Sequence, residues 1–392
     1  MVNEKITQAI EILKEKDIDL WLIFVRETQA MADPCLPLVL GLHCTPPTAL
    51  LISKSGKTAA IVGNLDYHNI HDSGLYQEVI CYTASMRDDL IGLLDRFQPK
   101  TIAINYSQDD YMADGLTHGM FQLLCNYLNG TPYLDRFVSA TEIIAALRGR
   151  KSPAEIDRMR RAIDLTIDIF NRVTGLLHPG ITEKEVAAFM VEQVKQAGAE
   201  LAWDATTCPS VFTGPETAGT HYGPTDRAAA PGHILNIDFG VKVDDYVSDL
   251  QRTWYFLREG ETSAPAPVQK AFAAVRDAIS HAAAFLKPGV AGWEVDAVAR
   301  QFIVSQGFAE FPHGLGHQVG RAAHDGAGTL CPRWDRYGKM PYFKVEKGQV
   351  YTLEPRVFCE GYGTATIEEE VLVTDRGCEF LSPRQTEIYF VK

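Results

Sequence analysis

Four acidic residues set inside otherwise apolar, strand-like segments, together with one histidine between glycines, constrain this chain more than any other feature. They are Asp238 in Ile-Asp-Phe-Gly, Asp249 in Ser-Asp-Leu-Gln-Arg-Thr, Glu354 in Thr-Leu-Glu-Pro and Glu368 in Ile-Glu-Glu-Glu, with His317 in His-Gly-Leu-Gly-His. Their flanks, Leu235, Ile237, Leu353 and Ile367, imply that the acids are partly buried, where an unpaired carboxylate is costly. Any fold that gathers them must supply a cation. Four carboxylates and one imidazole form a hard, anionic cage that suits Mn²⁺, Co²⁺, Fe²⁺ or Zn²⁺ better than a thiolate-preferring centre would. Two such ions can share a hydroxide that is nucleophilic near neutral pH.

Local pattern suggests how the acids come together. Ile234–Phe239 and Tyr246–Phe256 read as strands joined by the hairpin connection Gly240–Asp245. A turn centred on Val243 and Asp244 would set Asp238 directly opposite Asp249, on one sheet face. Glu354 and Glu368 arise in the same way from strands Val350–Leu353 and Thr366–Val373, linked by the glycine-containing loop Cys359–Gly363.

Residues 1 to about 145 alternate apolar runs, such as Trp21–Val25, Ala49–Ile52 and Ala59–Val62, with amphipathic stretches near 4–16, 87–97 and 112–128, the pattern of an α/β layer domain. The Gly, Pro and charge cluster Arg148–Pro153 marks a boundary, giving domains 1–148 and 149–392. Ser152, Pro153 and Glu155 also read as a helix start. The second domain contains an internal repeat at an offset of 109 residues. His178–Val186 recurs as Lys287–Val295, each copy follows a long amphipathic helix (near 154–177 and 267–286), and Gly198 matches Gly307.

Bulk properties exclude several function classes. A net charge of -13 argues against nucleic acid and anionic membrane as partners, because phosphate binding depends on clustered Lys and Arg. No stretch approaches the roughly 20 apolar residues of a membrane span, and the first twenty residues read as an amphipathic helix rather than a secretory leader. The eight cysteines are dispersed, without the close pairs of a zinc knuckle or redox motif, so they read as reduced thiols. A cytoplasmic protein is expected.

With these residues in view, the chain resembles the pita-bread metallopeptidases, in the branch of aminopeptidase P, prolidase and creatinase. The resemblance rests on His221-Tyr222, Asp238, Asp249, His313-Gly-Leu-Gly-His317, His324-Asp325, Glu354-Pro355 and Ile367-Glu368, and on the interval of eleven between the aspartates. It is strong over about 153–392 and consistent over 1–145. It implies an α/β fold of the α+β kind, a C-terminal pita-bread catalytic domain behind a smaller N-terminal creatinase-type domain. Carried over by position, it makes Asp238, Asp249, His317, Glu354 and Glu368 ligands of two divalent ions, Mn²⁺ foremost, with Asp249 and Glu368 bridging. It further implies Glu354 as the base, His221 and His324 near the scissile amide, and His313 on the same wall. A small peptide substrate and a homodimer or larger assembly are likewise expected.

Two departures bear on substrate choice. Relatives in this branch usually carry Arg two residues before the last Glu ligand, where this chain has Thr366, and Gly after Glu-Pro, where it has Arg356. No Arg lies in Met340–Leu353, where prolidases carry one that helps hold a dipeptide carboxylate. Arg356, Arg333 and Arg336 are the candidates for a replacement cation, the last two reading first as solvated surface residues. The leading expectation is hydrolysis of an Xaa-Pro amide, as dipeptidase or aminopeptidase. The alternatives are hydrolysis of a small non-peptide amide or cyclic amidine, as in creatinase-like and ectoine-hydrolase-like relatives, and a non-catalytic peptide-binding module.

Overall fold

The computed structural model describes residues 1–216 and 222–392, and the chain divides into two compact units, Met1–Arg148 and Gly149–Lys392. In the first unit the apolar runs become strands buried on both faces. The order along the chain is α1 Val2–Glu15, β1 Leu20–Val25, α2 Leu36–Val39, β2 Thr48–Ser53, β3 Thr58–Gly63, α3 Tyr67–Asp72, β4 Glu78–Tyr82, α4 Arg87–Phe97, β5 Ile102–Ile104, α5 His118–Leu128, β6 Phe137–Ser139 and α6 Thr141–Gly149. The sheet runs β4-β3-β2-β1-β5-β6, antiparallel through β1, β2 and β3 and parallel elsewhere. Because successive side chains alternate across a strand, Trp21, Ile23 and Val25 pack with α1 on one face while Leu20, Leu22 and Phe24 pack with α4 and α5 on the other. Covering both faces explains why these strands read as continuous apolar runs.

The second unit opens with α7 Pro153–Leu176, started by a capping box between Ser152 and Glu155, and α8 Glu183–Gln196, started by another between Thr182 and Glu185. Its strands are β7 Glu200–Leu201, β8 Ser210–Thr213, β9 Ile234–Phe239, β10 Val241–Val243, β11 Tyr246–Val247 and β12 Leu250–Phe256. The second helix pair is α9 Ala266–Phe285 and α10 Gly292–Ser305, and the chain ends in β13 Val350–Leu353, β14 Arg356–Cys359, β15 Gly363–Thr366, β16 Glu369–Val373, β17 Cys378–Phe380 and β18 Tyr389–Val391. The repeated segments fold alike. Gly180 and Gly289 take the same positive φ, 91° and 90°, ahead of α8 and α10. In the second copy Ala291 has no side-chain acceptor, so only Glu294, which accepts from the Ala291 amide at 2.7 Å, remains of the box.

One expected register and two expected strands need correction. Lys242 pairs with Val247 and Val243 with Tyr246, so the turn centres on Asp244 and Asp245, and Asp238 faces Gln251 rather than Asp249. The physical reason is the turn itself: a tight hairpin turn requires positive φ at both central residues. Aspartate tolerates that region better than β-branched Val243, and Asp244 and Asp245 have φ of 48° and 69°. The slip is two residues, which in an unbroken strand would keep Asp249 on the sheet face of Asp238. The expected strand Tyr246–Phe256 also breaks at Ser248–Asp249, and Thr366–Val373 breaks at Ile367–Glu368. The β13–β16 register Leu353↔Glu369 and the β14–β15 register Arg356↔Thr366 share one frame, which sets Glu354 across from Glu368 at the break between the two ladders.

Gly240 makes the first break possible, since a Cβ there would lie 1.8 Å from the Ser248 carbonyl oxygen. Backbone cannot yield as a flexible side chain can. Gly240→Ala is therefore expected to lower unfolding free energy by about 1–3 kcal/mol, the scale of overpacking, in urea denaturation. Wild-type stability in that variant would show that the crossing is not tight.

Candidate metal and catalytic site

Each acid sits at or next to the end of a ladder, and Asp238 and Glu368 both pair with Gln251 across it. Asp238 is next to last in β9, Asp249 directly precedes β12, Glu354 directly follows β13, and Glu368 lies between β15 and β16. His317 arrives on an extended segment hydrogen-bonded along β13: Thr352 N donates to His317 O at 2.9 Å and Glu354 N to Leu315 O at 2.8 Å. The motif glycines permit that approach. A Cβ on Gly316 would lie 1.9 Å from Thr352 O, and one on Gly314 would lie 2.7 Å from the Cys331 Cβ.

Asp249, His317, Glu354 and Glu368 converge, and the charge of Asp238 is felt by Asp249 and Glu368. His317 Nε2 lies 3.3 Å from Glu354 Oε1 and 3.7 Å from Asp249 Oδ2. Asp249, His317 and Glu368 each offer a ligand atom, all within 4.8 Å of one another. Gln251 Nε2 donates to Glu368 Oε2 at 2.8 Å and approaches Glu354 Oε2 at 3.5 Å, while the Asp249 amide donates to Glu370 Oε1 at 2.7 Å. Asp238 Oδ1 and Glu368 Oε1 are buried and accept no hydrogen bond among the described residues. Orphaned carboxylate oxygens are rare in folded proteins and call for an explanation such as a bound ion. The donor set fits divalent metal: hard oxygen ligands and one imidazole, with oxygens left over for coordination.

The electrostatics agree. Burial first, then the charge of Glu354, pushes Asp238 up to about 8. Burial also raises Asp249 and Glu368 well above the carboxylate range, reinforced by Asp238 and Glu354 for the first and by Asp249, Glu354 and Asp238 for the second. Glu354 differs. Burial pushes it up as well, but the hydrogen bond and charge of His317, with His313 and His324 farther off, outweigh that and hold it below the usual range.

Of the other expected site residues, His324 is solvent-exposed, with its ring edge-on to His317 at 4.0 Å between centroids. His313 and Arg356 line a narrow pocket beside Glu354, with Phe212, Gln251, Thr364 and Thr366. His313 Nδ1 bonds the Gly314 carbonyl at 2.8 Å, its Nε2 is buried without a partner among the described residues, and burial lowers its basicity. Arg356 makes one long hydrogen bond, 3.5 Å to Thr364 Oγ1, and burial depresses its guanidinium against the pull of Glu354. Arg333 and Arg336 do not line this pocket: Arg333 stacks on Trp293 at 4.3 Å, and Arg336 donates to Pro312 O at 2.7 Å. His221 lies outside the described residues. Sequence reasoning overlooked Gln251 and Glu370. Gln251 had a signal, since it stands two residues after Asp249 and so shares its face; the role of Glu370 depends on a tertiary contact.

Residues 157–375 match Metallopeptidase family M24. An uncharacterised peptidase of Staphylococcus aureus is 28% identical over 336 residues, covering 85% of this chain and 87% of that protein. Among solved structures, an Xaa-Pro dipeptidase from Bacillus anthracis superposes with a TM-score of 0.77 at 21% identity over 100% of both chains. An X-Pro aminopeptidase from Thermotoga maritima gives 0.73 at 24% identity, over 98% of this chain and 99% of that one. The prolidase of Pyrococcus horikoshii gives 0.71 at 24% identity, over 97% and 99%. With the family match spanning more than half its length and the fold shared from end to end, this chain belongs to metallopeptidase family M24 and has the pita-bread fold.

Proposed function

We propose that this protein hydrolyses the amide bond preceding proline, in an Xaa-Pro dipeptide or at a peptide N-terminus, with two divalent ions held by Asp238, Asp249, His317, Glu354 and Glu368. The observation that carries the reading is that Asp249, His317 and Glu368 bring ligand atoms within 4.8 Å of one another, with Glu354 3.3 Å from the imidazole and two buried carboxyl oxygens, on Asp238 and Glu368, that accept no hydrogen bond among the described residues. The names of the similar structures, Xaa-Pro dipeptidase, X-Pro aminopeptidase and prolidase, support the substrate class. Divalent ions there would supply Lewis acidity and bring water to nucleophilic strength near neutral pH.

The chain's own groups divide the remaining work. Glu354, the one acid held below its ordinary range, is the base that takes the attacking water's proton. His324, at the exposed mouth beside His317, passes a proton to the departing nitrogen or steadies the oxyanion. Gln251 fixes the orientation of Glu368. Phe212 offers an apolar wall to a proline ring, and Arg356 with His313 receives a carboxylate at the far end of a short substrate.

A panel of Xaa-Pro dipeptides and longer peptides tests the assignment, and cleavage of at least one is expected. Failure on all of them would turn the reading to small non-peptide amides. The purified protein should bind close to two divalent ions and lose activity to a strong chelator, recovering best with Mn²⁺ or Co²⁺; full activity in rigorously metal-free protein would sink the mechanism.

Stability should follow pH in a definite direction. Asp238, Asp249 and Glu368 have folded pKa values raised above the unfolded ones, so the folded state holds protons the unfolded chain gives up, and stability falls as pH climbs from the unfolded range near 4 through the raised folded values, about 8 for Asp238. Metal-stripped protein should melt progressively lower between pH 5 and 8, with Mn²⁺ restoring most at the upper end. A flat or rising profile would contradict the clustered acids.

Arg356→Ala should raise KM for a free dipeptide far more than for one amidated at its C-terminus, because only the former loses a charge-assisted bond. Such a bond is worth about 1.5–3 kcal/mol, roughly tenfold to 150-fold in binding. Equal effects on both substrates would exclude carboxylate recognition by Arg356.

A further inference from the structure

The segment that carries His313 and His317 contains two glycines in five residues, and glycine loses more conformational freedom on ordering than any other residue. One edge of the segment is held by β13. Another is held at Gly316, which exchanges both backbone hydrogen bonds with Leu330, at 3.1 and 2.9 Å. Upstream of these pairings the segment is met by two side chains of α10. Arg300 and Asp296, one turn apart, form a two-pronged ion pair, Nε to Oδ2 and Nη2 to Oδ1, both at 2.8 Å, with side chains only 8% and 2% exposed. From that pair Arg300 Nη1 donates to Phe311 O at 2.6 Å and Nη2 to His313 O at 2.7 Å, while Asp296 Oδ1 accepts from Leu315 N at 3.0 Å. The guanidinium also lies 4.0 Å over the Phe311 ring.

The chain bends at residues 312, 313 and 315, before the ladder bonds begin, and the pair gathers the backbone groups of 311, 313 and 315 there. The pair therefore does for this segment what a neighbouring strand would do, but with charged side chains in place of a ladder. A buried ion pair is weak evidence for stability by itself, since desolvation offsets much of the attraction. Here it satisfies three backbone groups that would otherwise be buried unpaired, each worth about 1–3 kcal/mol when orphaned.

We infer that Asp296 and Arg300 are positioning residues that set the His313–His317 segment and thereby the place of the His317 imidazole in the metal site. The inference rests on the reading of His317 as a ligand given above. Neither residue reaches the cluster itself. Their effect passes through backbone, so it differs from that of the groups that touch the ligands directly, such as Gln251.

The test compares Mn²⁺ affinity, measured calorimetrically on metal-free full-length protein, with the visible spectrum of the Co²⁺-loaded form, which reads ligand geometry independently of turnover. Arg300→Lys keeps the charge but cannot reach Asp296 and two carbonyls together. It should weaken Mn²⁺ binding about tenfold, the lower end of the effect of disturbing a ligand's support, shift the Co²⁺ bands, and lower kcat more than it changes KM. Asp296→Asn retains an acceptor for Leu315 N and loses the charge that aims Arg300; a smaller shift in the same direction is expected, and this variant carries the test if Arg300→Lys fails to fold. Val275→Ala, in the core of α9, is the control for lost stability alone and should leave affinity and spectrum unchanged. Wild-type affinity and bands in both clamp variants, or equal weakening in Val275→Ala, would overturn the inference. His317→Ala separates the two readings: if it binds Mn²⁺ as wild type does, the ligand assignment fails, whereas weak binding there with normal binding in the clamp variants condemns only the clamp.

Discussion

Repulsion among Asp238, Asp249, Glu354 and Glu368 is the constraint around which the second unit is organised. Two like charges about 4 Å apart cost on the order of 4 kcal/mol at an effective dielectric near 20, and burial adds to that. The surrounding structure is accordingly rich in polar groups spent on holding the acids still. Arg252, almost wholly buried, pairs with Glu369 at 3.1 Å and donates to the Glu368 and Gln251 carbonyls, both at 2.9 Å. Ser382 and the Gln385 amide hold Glu369 at 2.6 and 2.8 Å, and Asn236 ties β9 to the Arg252 and Thr366 carbonyls, both at 3.1 Å. Such a network rigidifies when fully satisfied. Among its buried oxygens that lack a partner within the described residues, those of Asp238 and Glu368 belong to the acid cluster, with Asn236 Oδ1 and Glu370 Oε2 orphaned beside it, which is where a cation would find ligands.

The same cluster contains the asymmetry that acid–base chemistry requires. Asp238, Asp249 and Glu368 are pushed towards the protonated form, and Glu354 alone is drawn towards the ionised one by the imidazole at 3.3 Å. Environments that drive neighbouring carboxyls apart are how a site assigns different roles to like groups. The segment 315–319 makes this difference possible, because its hydrogen bonds to β13 fix Glu354 and His317 in one register. A loop carrying His317 without those bonds would leave Glu354 as burdened as the other three.

How much of this could be read from the chain follows from which rules are local. Hydrophobic patterning located β1, β2 and β3 to within a residue, because a strand covered on both faces shows itself as an apolar run. It also placed Asp238 and Asp249 on one face, although the partner was misjudged, because in an unbroken strand a slip of two residues preserves parity where a slip of one would have reversed it. The exact turn was legible only in part: two adjacent aspartates are as good at positive φ as they are ordinary on a surface. Asp296 and Arg300 were not legible at all. Their spacing of four reads as a solvated helix pair, and only the fold reveals that it is buried against the His313 segment. Glu370 was obscured likewise, as the last of three glutamates that stand next to one another in sequence but divide among a metal cluster, an ion pair and a backbone amide.

The substrate end of the site turns on a substitution that the strand register makes intelligible. Arg356 and Thr366 are directly paired across the β14–β15 ladder, and directly opposed residues project to one face with Cβ atoms about 4.5–5.5 Å apart. A guanidinium rooted at 356 can therefore reach much of the space that one rooted at 366 would occupy. Thr366 is turned to other uses, its hydroxyl lying 3.2 Å from both Gln251 Oε1 and Pro355 O, which leaves Arg356 the cation of the pocket that also contains His313 and Glu354. Arginine on this strand approaches from the opposite side of the ladder, so on the proposed function an anion bound by Arg356 would be met from β14 rather than from β15. On the proposed function, the distance between Arg356 and the acid cluster would set the length of substrate that fits, and the β14–β15 register fixes where that guanidinium is rooted.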